Sequence, residues 1–187
     1  SLPVAEIVRI YGAIGGVPAY LDKWDAAKSF KDNICRLVLT PSGALYGEAD
    51  AVISAELREL SAYSTILAAI ARGENKLNDI FHATGFSRAK ISVYLKNLAT
   101  FNIVEKVVSF ETGGWENAKK GVYQIKDTFV NFWFKFVYPN MSNLYLRSPE
   151  EFYDTYIEKE LDAYLERYFR EVCTEYLLSI IHISEPT

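Results

Sequence analysis

Between residues 62 and 125 the apolar pattern passes from helical spacing to β-prone runs, and that change limits the fold more than any other feature of the chain. A first helix places Ile66, Leu67 and Ile70 on one face and stops near Gly73. A short second one carries Leu77, Ile80 and Phe81 and turns at Gly85. The third, over 87–101, opens on a Ser87 cap and buries Ile91, Leu95 and Leu98. Three short helices with a glycine turn before the last predict a helix-turn-helix. Residues 103–110 and 122–125 follow as β-prone stretches joined by ETGGWENAKKG, a turn-rich and basic hairpin tip. Helix-turn-helix plus hairpin predicts a winged helix over 61–126.

The flanks read as helices. Residues 3–14 start with Pro3 in a first-turn position and carry Val4, Ile7, Val8 and Tyr11 at helical spacing, ending at Gly15-Gly16. Pro18 opens a second helix over 18–24. Two more are predicted over 32–39 and 48–60, separated by Thr40-Pro41-Ser42-Gly43, which makes 1–60 an all-helical unit. Behind the wing, Asp127 caps a helix whose apolar positions Phe129, Phe132, Trp133, Phe136 and Val137 form a broad buried stripe. Tyr138-Pro139-Asn140 is predicted to stop it, since the residue before a proline is biased out of the helical region. One or two further helices are predicted over 149–176. The fold class is therefore mainly α: a helical subdomain, a winged helix-turn-helix with a small β-hairpin, and C-terminal helices.

Of the 187 residues 50% are hydrophobic, enough to bury a core, and the aromatic share of 14% predicts helices packed through large rings. No apolar run approaches the roughly 18 residues of a membrane span, so a soluble, cytoplasmic protein is expected. Cys35 and Cys173 are far apart, outside any CxxC or Cys/His grouping, and are read as reduced core thiols. GxxxxGK[ST], HExxH and GxSxG are all missing from the sequence, and the histidines are only His82 and His182. Glu150 with Glu151, and Glu158 with Glu160, read as solvated helix faces. No catalytic residue and no metal ligand is expected in this chain.

The net charge of −4 argues against a protein that coats nucleic acid, but it is unevenly spread. Residues 59–126 hold nine Lys/Arg against six Asp/Glu, a net +3 between flanks that total −7. The third helix of a helix-turn-helix lies in the DNA major groove, and here its solvent face is predicted to offer Ser87, Arg88, Lys90, Ser92, Lys96 and Asn97. Lys119 and Lys120 on the wing add phosphate contacts. The same face reads equally as a solvated surface or as a protein-docking surface.

Both ends carry signals of their own. Residue 1 is Ser, and Leu2-Pro3 runs straight into a helical pattern, as expected for a chain cut from a longer one. Residues 178–187 read LSIIHISEPT, one position away from LSLIHISEPT, the translation of a common transposon sequencing adapter; they are expected to be read-through.

Four stretches, in this order and spacing, resemble the archaeal-type ATPase family, STAND-like AAA+ proteins of archaea and bacteria. They are residues 11–21 (YGAIGGVPAYL), 45–57 (LYGEADAVISAEL), 63–73 (YSTILAAIARG) and 127–140 (DTFVNFWFKFVYPN), and the resemblance covers residues 3–177. It implies a P-loop domain upstream in the same polypeptide, a helical lid over 1–60, the winged helix over 61–126, and a linking helix with the start of a restriction-endonuclease-like domain over 127–177. In related ATPases the proline of the Gly-Gly-x-Pro corner approaches the adenine, so the resemblance places Gly15, Gly16 and Pro18 near a bound nucleotide. ATP and Mg²⁺ would belong to the full-length parent, with no cofactor expected on this chain alone. The family's last domain opens with Phe-Glu before an apolar-Cys step, whereas here Phe169 is followed by Arg170, with Glu171 and then Val172-Cys173 after it. A free-standing winged-helix DNA-binding regulator and a protein-interaction module are the alternative readings. An upstream reading frame containing GxxxxGK[ST] separates the first from the second.

Overall fold

The structure, a computed structural model, describes residues 2–55, 57, 59–108 and 121–184, with side chains described as far as residue 174. The chain folds as two compact units, Ser1–Gly43 with Ser142–Thr187, and Ala44–Met141. The architecture is mainly helical with one small antiparallel sheet. The units do not follow the chain order of the three expected segments: the first helices group with the last ones, and the helix behind the wing groups with the winged helix.

In the first unit, α1 (Val4–Ile14) packs against α11 (Glu158–Ser184), and α10 (Pro149–Tyr156) packs against α11 and α3 (Phe30–Ile34). Local chemistry sets the boundaries. Ser29 starts α3 by accepting from the Asp32 amide at 3.1 Å, and α10 opens on a full capping box between Ser148 and Glu151 with Pro149 in its first turn. The α3 helix runs on as a π-helical turn, Cys35–Leu39, and the Thr40 hydroxyl donates to the Cys35 carbonyl at 2.8 Å. The α11 side of the core is Leu161, Leu165 and Tyr168, spaced i, i+4, i+7 so that all three fall on one stripe.

In the second unit, α4 (Glu48–Ser54) precedes α5 (Leu60–Ala71), α6 (Leu77–Thr84) and α7 (Arg88–Thr100), then β1 (Val104–Val107) and β2 (Val122–Ile125). The α5–α6, α6–α7, α7–β1 and α5–β2 pairs are in contact, and β1 pairs antiparallel with β2 in the register Val104 to Ile125 and Val107 to Val122. Gly85 ends α6 at φ 70°, a left-handed conformation that costs glycine nothing. Asp127 caps α8 (Thr128–Phe132) through the Val130 amide at 2.8 Å, and α8 continues as a π-helical turn, Trp133–Val137, packed on α5. All five predicted stripe residues, Phe129, Phe132, Trp133, Phe136 and Val137, are buried.

Four expectations need correction. The helix predicted over 18–24 ends at Leu21. Helix 48–60 ends at Ser54, and Leu60 already belongs to α5. The predicted strand over 103–110 is described as Val104–Val107, with 109–110 outside the described residues. Tyr138-Pro139-Asn140 does not stop the helical path. Tyr138 stays helical at φ −52° and ψ −47°, and a 3₁₀ turn leads into α9 (Met141–Leu144). Pro139 sits in the first turn of that new 3₁₀ segment, where the amide hydrogen it lacks has no intrahelical partner to lose.

Candidate functional site

The Gly-Gly-x-Pro corner is built as its sequence dictates. Gly15 closes α1 at φ 69°, its amide donating to the Tyr11 carbonyl at 2.9 Å, and Pro18 occupies the first turn of α2 (Pro18–Leu21). Gly15 is buried, whereas Gly16, Val17 and Pro18 are exposed. Gly16 has open space at its Cα, the nearest atom to an added Cβ being a Tyr11 ring carbon at 3.8 Å. The apolar Leu21 at the corner is also exposed, as are Leu2, Val4 and Ile7 at the opposite, N-terminal end of α1. A cavity of about 540 Å³ in this unit is lined by residues that include Arg9, Lys28, Lys31, Tyr153, Glu158 and Asp162. Its charges are largely matched: Lys31 bonds Asp154 at 2.6 Å, which holds its ammonium above the usual range, and Arg9 lies 3.6 Å from Asp162. Burial, with the Glu158 carboxylate next, pushes the Tyr153 phenol up.

The α7 residues divide into two opposite stripes. Ile91, Tyr94, Leu95 and Leu98 are buried, and Ala89, Ser92, Val93 and Lys96 are exposed; both sets are spaced i, i+3, i+4, i+7. Ser87 caps the helix, its hydroxyl accepting from the Lys90 amide at 3.2 Å, so this oxygen is committed to the backbone. The Arg88 guanidinium lies 4.0 Å from the centroid of the Phe81 ring and donates to the Asn78 side chain. The Lys90 ammonium lies 4.4 Å from the Phe86 ring and 5.4 Å from the Tyr94 ring. Asn97 does not belong to the solvent face: its amide donates to the Tyr63 hydroxyl at 2.8 Å, in a cluster where the Tyr63 and Tyr94 rings pack with centroids 4.4 Å apart, tilted by 45°. Lys119 and Lys120 lie outside the described residues.

The structure thus brings Arg88, Lys90 and Lys96 to one helix, while Gly15, Gly16 and Pro18 belong to the other unit. Sequence reasoning missed Phe81, Phe86 and Asn78 as supports for the cations. The signal lies in Phe81, seven residues before Arg88 and read as a core position, and in Phe86, four before Lys90 and given no role in that reading. Three acids of this unit are already engaged: Glu74 pairs with Arg72 at 3.1 Å, Glu105 accepts from Gln124 at 2.7 Å, and Glu59 accepts from Tyr94. Arg88 and Lys90 thus lie against ring faces, and among the described residues no ion pair joins an α7 cation to a carboxylate.

Among the described residues no group of His, Cys, Asp and Glu is arranged to hold a metal ion, and no helix is long and apolar enough to cross a membrane. No solved structure matches the chain. An uncharacterized protein of Methanocaldococcus jannaschii is 32% identical over 176 residues, which cover 94% of this chain and 38% of that protein. The chain therefore spans well under half the length of the relative it matches. Residues 133–186 match the DUF234 family, described as archaea bacterial proteins of unknown function, a span that includes most of the stretch read from the sequence as adapter.

Proposed function

We propose that this chain is part of a larger archaeal-type AAA+/STAND ATPase, in which ATP hydrolysis resides in an upstream P-loop domain. The helices that carry the Gly-Gly-x-Pro corner serve as its lid. The winged helix is its docking module, with duplex DNA as the ligand its charge favours. The observation that carries the reading is the corner itself. Gly16, Val17 and Pro18 lie exposed at the corner with apolar Leu21 one turn further on, a surface fit to be covered by another domain and, in the resembling family, the side that meets the nucleotide. The longer archaeal relative supports it, since this chain matches only 38% of that protein.

The chain alone lacks every phosphate- and Mg²⁺-binding element that phosphoryl transfer requires, so it should not hydrolyse ATP. The test is to recover the longer reading frame and assay both proteins. ATP turnover by the long form, abolished by replacing its P-loop lysine and reduced by Pro18→Ala, is the expected result. A frame with no P-loop, or turnover by the short chain that disappears in Pro18→Ala, would overturn the proposal. Binding of duplex DNA should be weak, because a handful of cations provides it, and should fall with salt in proportion to the few phosphates they contact.

A further inference from the structure

The exposed stripe of α7 carries small side chains rather than cations over most of its length. Ala89, Ser92 and Val93 occupy three of its four positions, with Lys96 at the end, and Val93 is 57% exposed. Arg88 and Lys90 flank this stripe, each propped on an aromatic ring, so they are held at its margins rather than across it. In the major groove the one apolar feature of a base edge is the C5 methyl group of thymine, and small apolar side chains pair with it. Cations at the margin suit phosphates, which position a helix without reading sequence.

We propose that α7 divides the work of DNA recognition: Arg88, Lys90 and Lys96 hold the phosphate backbone, while Val93, with Ala89 beside it, packs on thymine methyl groups and gives a preference for A·T-containing duplex. This rests on the DNA-docking reading above and names what that surface selects. Charge favours DNA over a protein partner here, since among the described residues the cations on α7 are not paired with carboxylates and the neighbouring Glu74 is already paired with Arg72.

The experiment measures anisotropy of labelled duplexes with the full chain over a range of salt, using an A·T-rich duplex, the same duplex with uracil in place of thymine, and a G·C-rich duplex. Uracil keeps every hydrogen-bonding group and removes only the methyl, so binding should weaken by about fourfold for each buried methyl group lost. Val93→Ala should reduce that thymine-to-uracil difference while leaving the salt slope unchanged. Arg88→Ala should weaken all three duplexes alike and lower the slope by about one. Val93 and Arg88 are both exposed, so neither variant threatens folding. Equal binding of thymine and uracil duplexes overturns the methyl readout but leaves DNA docking standing. Failure to bind any duplex at low salt overturns both and makes the stripe a protein-docking surface.

Discussion

The Tyr164 hydroxyl, on α11, donates to the backbone carbonyl of Gly12, within α1, at 2.9 Å. The two helices can approach this closely because residue 12 has no side chain. A Cβ built there would overlap Cδ2 of Leu165 and lie 3.3 Å from the Tyr168 ring. Gly12→Ala would gain about 1 kcal/mol of helix propensity. Overpacking against two buried side chains typically costs about 1–3 kcal/mol, so a net loss is expected. Gly16→Ala is the control, since its added carbon meets nothing closer than 3.8 Å. Thermal melts that rank Gly12→Ala at or above the parent protein would show that α1 and α11 do not cross at this residue.

Trp133 is 1% exposed, stands edge-on to Tyr46 with ring centroids 6.3 Å apart, and packs beside Phe129. Truncating so large a buried ring costs roughly 3–5 kcal/mol. Trp133→Ala should therefore unfold or aggregate the chain. Leu146→Ala, at a side chain that is 83% exposed, should change stability by less than about 0.5 kcal/mol. Denaturant titrations of both variants decide the matter, and similar midpoints would mean that the π-helical turn is not a core element.

What the sequence made legible was local. The i, i+4, i+7 spacing of Ile91, Leu95 and Leu98 fixes the buried side of α7, and the oxygens of Ser87 and Asp127 mark helix starts that the structure reproduces. Pairings between distant segments were not legible. Gly12 and Tyr164 are 152 residues apart, and no period within either helix names the other. The helix stop at Pro139 failed because a proline can equally begin a new turn, a choice set by the packing of the aromatic stripe before it. At the candidate site the cations were legible as residue types, but their support was not. Phe81 counted as core from its spacing, yet it is half-buried, with its ring facing the Arg88 guanidinium.

Cys35 is buried and Cys173 half-buried, so only the first is the core thiol that both were expected to be. Burial, reinforced by the Glu150 carboxylate, pushes the Cys35 thiol up to about 12. Nucleophilic attack requires the thiolate, so at pH 8 a disulfide reagent should titrate Cys173 in the native protein and reach Cys35 only in denaturant. Cys173→Ser should leave the native protein without a fast-reacting thiol. Rapid modification of that variant would mean that Cys35 is exposed by opening of the π-helical turn around it.

The Tyr94 hydroxyl donates to the Glu59 carboxylate, linking the middle of α7 to the residue that precedes α5. That bond exists only while the phenol keeps its proton, and with burial it pushes Tyr94 up to about 12 from an ordinary value of 10.0. A group whose folded value is raised lends its full stability below the unfolded value and loses it as pH climbs through the folded one. The contribution of Tyr94 should therefore be complete at neutral pH and fade between pH 10 and 12. Tyr153 in the other unit is raised as well and adds a loss of the same sign, so the wild-type curve alone cannot assign the effect. Tyr94→Phe can: it lacks the bond at every pH, and its melting temperature should lie below that of the parent at pH 7 and converge on it as pH rises towards 12. A gap that stays constant across this range would mean that the phenol ionises without breaking a stabilising contact, and the α5–α7 junction would then owe its stability to the 4.4 Å packing of Tyr63 on Tyr94 and to the Asn97 bond.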